Sequence, residues 1–494
     1  MPSTAAQRAA SGEGPASSSP PRKSKLAARI ARAIEDDVIA ADWPVGSTIG
    51  SEPQLIERYG VSRAVFREAV RLVEHHQVAV MRRGRSGGLK VIAPNAAAAV
   101  SAAVVYLEYA GTKVDDLLRV RSLLEPLAAA EAAKNVSEED IAALRGAAGQ
   151  QMVAAAAEGQ VLAAYAGLHV TVAQLSGNPV LQLFVEVLAQ LTDRYAKIRR
   201  TTKSDRDATA HEVDRAHRAL VDAVVAGDAA TAQHYMSAHL AAMDQWFADT
   251  GRRIITRRAM TASAHAAGGH KLAEVIAEEI RADIARGRWQ VGDVIDSENG
   301  LLERYDVSRS AIREAVRLLE HHSIAWMRRG PNGGLIVARP DLDAGVEAMA
   351  LYLDYRGATA ADLLPVRKEL ELGCVDLVAS RASEPEVRER LEKALTVTPD
   401  TPADEVSRLA HELHLAVAEL AGNPVLVFLI RTMTSLWARH TADEPSIQLV
   451  PAEKPAEAVA HAHLAIVEAI ASGDRGLARR RMARHLDAVS LWWH

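Results

Sequence analysis

Residues 61–76 read VSRAVFREAVRLVEHH, and residues 307–322 read VSRSAIREAVRLLEHH. Each stretch opens toward a serine and places two arginines one helical turn apart, Arg63 with Arg67 and Arg309 with Arg313. Apolar residues recur at three- and four-residue spacing, which predicts an amphipathic helix with Ser62 or Ser308 as its N-cap. Residues four apart share a face, so both arginines project on one side. Val65 or Phe66, with Ala69, Val70 and Leu72, are assigned to the buried side of the first copy.

The repeat extends to the whole chain. Arg63 and Arg309 lie 246 positions apart, as do His217 and His463, and His239 and His485. GNPV at Gly177 recurs at Gly422, one residue out of step. That period is far too long for a solenoid, so the chain is a domain duplication of units spanning about 22–255 and 268–494. Within each unit, a helical run (KLAARIARAIEDDVIAA) precedes a WPVG turn, a short capped helix (SEPQLIERYG) and the arginine helix. VAVMRRGRSGGLKVIAP then reads as two strands around a Gly- and Arg-rich turn. The second copy repeats the pattern through SENGLLERYD and IAWMRRGPNGGLIVARP. Helix, helix, turn, helix, hairpin is the layout of a winged helix-turn-helix. The remainder of each unit is Ala- and Leu-rich, has helical period throughout and predicts an all-α bundle. The expected fold class is mainly α. Its domains are an N-terminal arm (1–21), winged helices (22–94 and 268–339), helical domains (97–250 and 341–494) and a linker (251–267).

Composition narrows the function. The 494 residues carry a net charge of −5, so any nucleic-acid surface is local. Cys374 is the one cysteine, which excludes a disulfide framework and points to a reducing compartment. No apolar run reaches the length of a membrane span. The arm is rich in Ser, Pro and Gly, reads as disordered, and leads into a basic cluster at Arg22, Lys23 and Lys25.

In a helix-turn-helix the second helix enters the major groove. Arg63, Arg67, Arg309 and Arg313 can each donate two hydrogen bonds to guanine, and Ser62 and Ser308 can meet phosphate. Arg82, Arg83 and Arg85 flank Gly87 and Gly88 in the first wing, and Arg328 and Arg329 precede Gly333 in the second. The glycines permit a tight turn and close approach to DNA. Residues 21–94 hold thirteen Lys and Arg against eight Asp and Glu, whereas residues 270–340 hold eleven of each. The first head is therefore expected to bind DNA more tightly.

GVSRAVFREAVRLVEHHQVAVMRRGRSGGLKV resembles the DNA-binding domain of GntR-type bacterial repressors, within them the FadR-like subfamily. RSLLEPLAA, LSGNPVL, HRALVDAVVAGD and MSAHL resemble that subfamily's helical effector domain, FCD. The resemblance covers nearly all of both units. It implies a bacterial cytoplasmic, nucleoid-associated transcription factor on double-stranded DNA, responsive to a small carboxylate, with Ser62, Arg63, Arg67, Ser308, Arg309 and Arg313 at DNA-contact positions. The family often has a polar or basic residue after the Glu of the first motif helix, where this chain has Pro53 and Asn299.

His169, His217 and His239 recur as His414, His463 and His485, on three separate predicted helices of each bundle. Imidazoles suit zinc or nickel, and a lone histidine is ordinarily structural, but six at matched spacing point to metal. The resemblance implies three such histidines and an aspartate. The matching positions are Tyr165 and Ala410, and His411 could share the face of His414. Arg121 with Glu125, and Arg367 with Glu371, read either as helix-face salt bridges or, by resemblance, as arginines that meet a carboxylate effector. GNP reads as a helix–helix corner. No enzyme motif and no repeated carboxylate placed as general base beside the histidines is apparent, so no catalytic residue is assigned. An architectural DNA-binding protein without effector response is the other class. Two heads and two bundles suggest a covalent pseudo-dimer on an imperfect palindrome; a homodimer presenting four heads is the alternative.

Overall fold

The computed structural model divides the chain into two compact units, Met1–Pro94 and Asn95–His494. It describes residues 22–82, 84, 87–142, 144–146, 161–196, 203–249, 269–285, 288–321, 324–328, 330, 333–442 and 455–490. The N-terminal arm, the linker and the wing arginines Arg83, Arg85 and Arg329 lie outside the described residues, as do the side chains of Arg22, Lys23, Lys25 and Tyr165.

The first unit runs α1 (Arg22–Ala40), β1 (Thr48–Gly50), α2 (Glu52–Tyr59), α3 (Arg63–His75), β2 (Ala79–Arg82) and β3 (Gly88–Val91). Helix α2 starts on Ser51 and stops at Gly60, whose left-handed φ of 63° turns the chain into α3. The buried residues of α3 are Val65, Phe66, Ala69, Val70 and Val73. Leu72, assigned to the core from sequence, is only half-buried, because 3.6-residue periodicity carries the stripe from Phe66 and Val70 to Val73.

The hairpin expected from sequence is a three-stranded antiparallel sheet in the order β1-β3-β2. Strand β1 escapes pattern reading because three residues cannot display alternation. Its close approach explains Gly88, where an added Cβ would lie 2.6 Å from the Gly50 carbonyl oxygen.

The second unit opens with a helical bundle: α4 (Ala96–Tyr109), α5 (Val114–Asn135), α6 (Val161–Leu175), α7 (Pro179–Ala196), α8 (Lys203–Val225) and α9 (Ala229–Asp249). A second winged helix follows, with α10 (Gly269–Ala285), β4 (Val294–Asp296), α11 (Glu298–Tyr305), α12 (Arg309–His321), β5 (Ala325–Arg328) and β6 (Gly334–Val337). The second bundle comprises α13 (Leu342–Tyr355), α14 (Ala360–Ala379), α15 (Pro385–Lys393), α16 (Ala403–Leu420), α17 (Pro424–Ala442), α18 (Pro455–Ala471) and α19 (Arg475–Ser490). The mainly α fold class is borne out, with strands, among the described residues, only in the two winged heads.

The two bundles share one hydrophobic core, from Val100, Leu107 and Phe184 to Leu353, Phe428 and Leu429. Tyr106 of α4 stacks on Phe428 of α17 at 5.6 Å between ring centroids. Gly373 of α14 lets Leu123 of α5 approach so closely that an added Cβ would sit 2.5 Å from its methyl. The GNP corners do more than turn the chain. Asn178 Oδ1 accepts the Val180 and Leu181 amides, capping α7, while its Nδ2 donates to the Asp362 carbonyl at 2.8 Å. Asn423 caps α17 in the same way and reaches the Asp116 carbonyl at 2.9 Å. Each bundle thus clasps the first turn of the other's second helix.

The second head packs on the first bundle. Val105 of α4 belongs to that head's core, with Ile276, Ile280 and Leu319. One turn along, Glu108 accepts from Arg194 of α7 at 3.0 Å and from Arg281 of α10.

Candidate nucleic-acid interface and candidate metal centres

The arginine helices present what a DNA-reading surface requires. Ser62 Oγ accepts the Val65 amide at 3.4 Å as the N-cap of α3. Arg63 and Arg67 project outward, with side chains 68% and 65% exposed. Both donate through Nε to one oxygen of Glu52, at 2.9 and 3.1 Å. Their hydrogen bonds and charges hold the Glu52 carboxyl below its usual pKa. In the second head Arg313 makes the matching bond to Glu298 at 3.0 Å, while Arg309 is exposed and Ser308 Oγ meets Ser310 Oγ at 2.8 Å.

Sequence reading missed these glutamates. The signal was an acid at the first position of α2 and α11, at the same offset from the arginines in both copies. Pro53 sits in the first turn of α2, where its missing N–H costs nothing.

Arg82 and Arg328 are exposed at the strand ends, opposite Gly88 and Gly334 in register. Gly87 and Gly333 donate their amides to the Gly84 and Gly330 carbonyls at 2.9 and 2.8 Å. These glycines shape the wing tip from within. At Gly333 an added Cβ would lie 2.8 Å from Gly330 O and closer still to Arg328 O.

Deep in each bundle three imidazoles converge. His169 comes from α6, His217 from α8 and His239 from α9; their counterparts His414, His463 and His485 come from α16, α18 and α19. All six are buried, and within each trio one ring nitrogen per histidine lies within 4.8 Å of the others. His217 Nε2 is 3.2 Å from His239 Nε2, and His485 Nε2 is 3.2 Å from His414 Nε2 and 3.3 Å from His463 Nε2. Tetrahedral zinc with Zn–N of about 2.0–2.1 Å separates its nitrogen ligands by about 3.3 Å. The trios fit a divalent ion.

Burial drives the His239 and His463 pKa values down to about 3 and lowers those of His217 and His485 as well. These imidazoles are therefore neutral near pH 7, the form that ligates metal.

Behind each trio stands a carboxylate. Glu125 Oε2 meets His169 Nδ1 at 2.5 Å, and Glu371 meets His414 Nδ1. Such a carboxylate fixes the imidazole tautomer and aims Nε2 inward, as outer partners of metal-bound histidines do. Burial alone would raise the Glu125 pKa, but Arg121 and His169 outweigh it and hold it at about 2. Glu371 is likewise lowered against burial by His414 and Arg367. Carboxylates this acidic are poor proton acceptors, so their role is orientation.

Arg121–Glu125 and Arg367–Glu371 are thus buried ion pairs tied to the histidines, not solvated helix-face bridges. His411 does not join the nitrogen cluster but stands against Trp437, with ring centroids 6.4 Å apart. Ala410 packs beside Val406 and Val459, leaving that family position without a ligand atom.

Comparison with known proteins follows the same duplication. "Bacterial regulatory proteins, gntR family" matches residues 26–88 and 272–334, and "FCD domain" matches residues 116–242 and 362–488. The HTH-type transcriptional regulator LutR of Bacillus subtilis is 30% identical over 208 residues, which is 42% of this chain and 94% of that protein. The HTH-type transcriptional repressor NanR of Cronobacter sakazakii is 28% identical, over 45% of this chain and 85% of its own length. A solved Streptococcus agalactiae GntR structure, 19% identical, covers 44% of this chain and 99% of itself with a TM-score of 0.33. Each of the three matches less than half of this chain. Among the described residues no helix is long and apolar enough to cross a membrane.

Proposed function

This chain belongs to the gntR family of bacterial regulatory proteins, with two winged heads and two FCD domains in tandem, and we propose that it is a metabolite-responsive repressor acting as a covalent pseudo-dimer. The observation that carries the reading is the reciprocal bundle contact. Asn178 and Asn423 exchange equivalent hydrogen bonds across a shared core inside one chain. A contact of this kind joins subunits in a two-fold dimer, and here the duplication supplies both halves. Linkage raises the effective concentration of the second head on DNA to the millimolar range.

Arg63, Arg67, Arg309 and Arg313 would read guanines, with Glu52 and Glu298 holding them in register until DNA replaces the carboxylate. Ala64 differs from Ser310 and Val65 from Ala311 beside these arginines, so the operator would be an imperfect palindrome. Each histidine trio would hold zinc or nickel, which supplies a Lewis-acidic position for a small carboxylate. Glu125 and Glu371 would orient the first histidine in either case.

Ligation would reach the second head through side chains in contact. Thr192, which accepts from Arg121 at 3.2 Å, lies on α7 two residues before Arg194. Arg194 bonds Glu108, and Glu108 bonds Arg281 of the second head.

The experiment is mass measurement of the complex with a minimal operator, alongside metal analysis of the purified chain. One chain per operator with two zinc or nickel equivalents is the expected result. Two chains on one minimal operator would overturn the pseudo-dimer, and a metal content unchanged by His217→Ala/His463→Ala would overturn the metal reading.

A further inference from the structure

The two ligand sites are built alike but finished differently. In the first, every nitrogen of the buried Arg121 guanidinium is engaged. Nε and Nη2 donate to Glu125 at 2.5 and 3.2 Å, and Nη1 donates to Thr192 Oγ1 at 3.2 Å. In the second, Arg367 is 7% exposed and donates only through Nε, to Glu371 at 2.6 Å. Neither Nη group of Arg367 has a hydrogen-bond acceptor among the described residues. The counterpart of Thr192 is Trp437, which has no hydroxyl to offer and lies with its ring centroid 5.3 Å from the guanidinium carbon. His411, where the first copy has Ala166, meets the same indole edge-on, with ring centroids 6.4 Å apart.

Neither Nη group is fully shut off from solvent, so an acceptor that enters the site can reach both. A planar carboxylate is the acceptor that matches these paired Nη groups. We propose that the anionic effector binds at the second site alone, through the Nη edge of Arg367 with Trp437 and His411 as selecting walls, while Arg121 is already committed and the first site takes metal without effector. This deepens the proposed function and rests on its carboxylate reading. An aromatic wall also favours a ligand with a flat or apolar portion beside its carboxylate.

The test is calorimetric titration of the full chain, zinc-loaded and zinc-free, with acetate, benzoate and citrate, together with tryptophan fluorescence. One saturable equivalent per chain for at least one of these probes is expected, with a fluorescence response that Trp437→Phe removes while the heat of binding persists. Arg367→Lys should weaken that binding about tenfold or more, since a point charge replaces a planar fork. Two equal equivalents per chain, or one equivalent insensitive to Arg367→Lys, would overturn the proposal, as would absence of saturable binding for all three probes. Absence of zinc uptake with binding at Arg367 intact would instead remove the metal reading and leave this one standing.

Discussion

Glu108 is the hinge between the first bundle and the second head, and its removal has a calculable cost. Arg281 and Glu108 have side chains only 9% and 16% exposed, so their pairing is poorly screened by water. An exposed pair contributes about 0.2–1 kcal/mol, whereas breaking a fully buried one costs about 3–5 kcal/mol. Each partner keeps a second contact here: Arg194 on Glu108, and Glu278 on Arg281. Glu108→Gln and Arg281→Met should therefore cost about 1–3 kcal/mol each, with a coupling of about 1–2 kcal/mol in the double mutant. The same coupling predicts that Glu108→Gln changes the zinc response of operator binding by about 5- to 30-fold, while the affinity of the metal-free chain changes less. The assays are denaturant unfolding of the four proteins of the cycle and operator titration with and without zinc. If the two substitutions add to within about 0.5 kcal/mol, or the zinc response survives intact, the clamp does not couple the first site to the second head.

Three further outcomes are expected. At fixed salt, Arg67→Ala and Arg313→Ala should each lose about 1–3 kcal/mol of specific affinity, or about 5- to 150-fold, in anisotropy titrations on a fragment from upstream of the chain's own gene; loss from Arg67→Ala alone would leave the second head without a reading role. Glu125→Gln should lower the zinc affinity of the first site by about 10–100-fold in chelator competition and leave the second site unchanged, and an equal loss at both sites would contradict a local orienting role. The metal-free fold should lose stability below pH 6.5. His239 and His463 have native pKa values near 3, so the unfolded chain binds more protons between pH 6.5 and 3, and each histidine costs about 1.4 kcal/mol per pH unit across that window. Urea unfolding from pH 8 to 4 checks this, and a flat profile between pH 6.5 and 5 would contradict it.

Elements with a local code were legible in the sequence. Ser51, Ser62 and the apolar stripe of α3 announce their helices because capping and 3.6-residue spacing need no distant partner. The histidine trios were legible through duplication, with the family resemblance beside it: matched positions in two copies do what a single histidine cannot. Distant pairing was not legible. Glu52 and Arg63 are eleven positions apart across a turn, and Glu125 meets His169 forty-four positions away. Glu125 had an ordinary helix-face reading, and Glu52 had none. Asn178 looked like a corner because its cap is local, while its second bond spans 184 positions into the other bundle.

Covalent duplication also changes what each copy must conserve. In a dimer of identical chains, a residue that anchors one head to one bundle necessarily appears at both contacts. Here position 281 is an arginine bound to Glu108, whereas the matching position of the first head is Glu35, buried and bonded to His76 at 2.6 Å within its own head. Thr192 and Trp437 divide in the same manner around two otherwise equivalent arginines. The second head, with balanced charge, gains a buried ionic anchor to the bundle; the first, with its surplus of five positive charges, has an internal pair at that position. Phosphate attraction scales with the local surplus of Lys and Arg, so the first head would supply most of the sequence-independent grip. The second head, clamped to the first bundle through Glu108, is the one placed to sense metal ligation there. On this argument an operator with its second half-site scrambled should retain most of its affinity and lose most of its zinc response, and one with its first half-site scrambled should lose both.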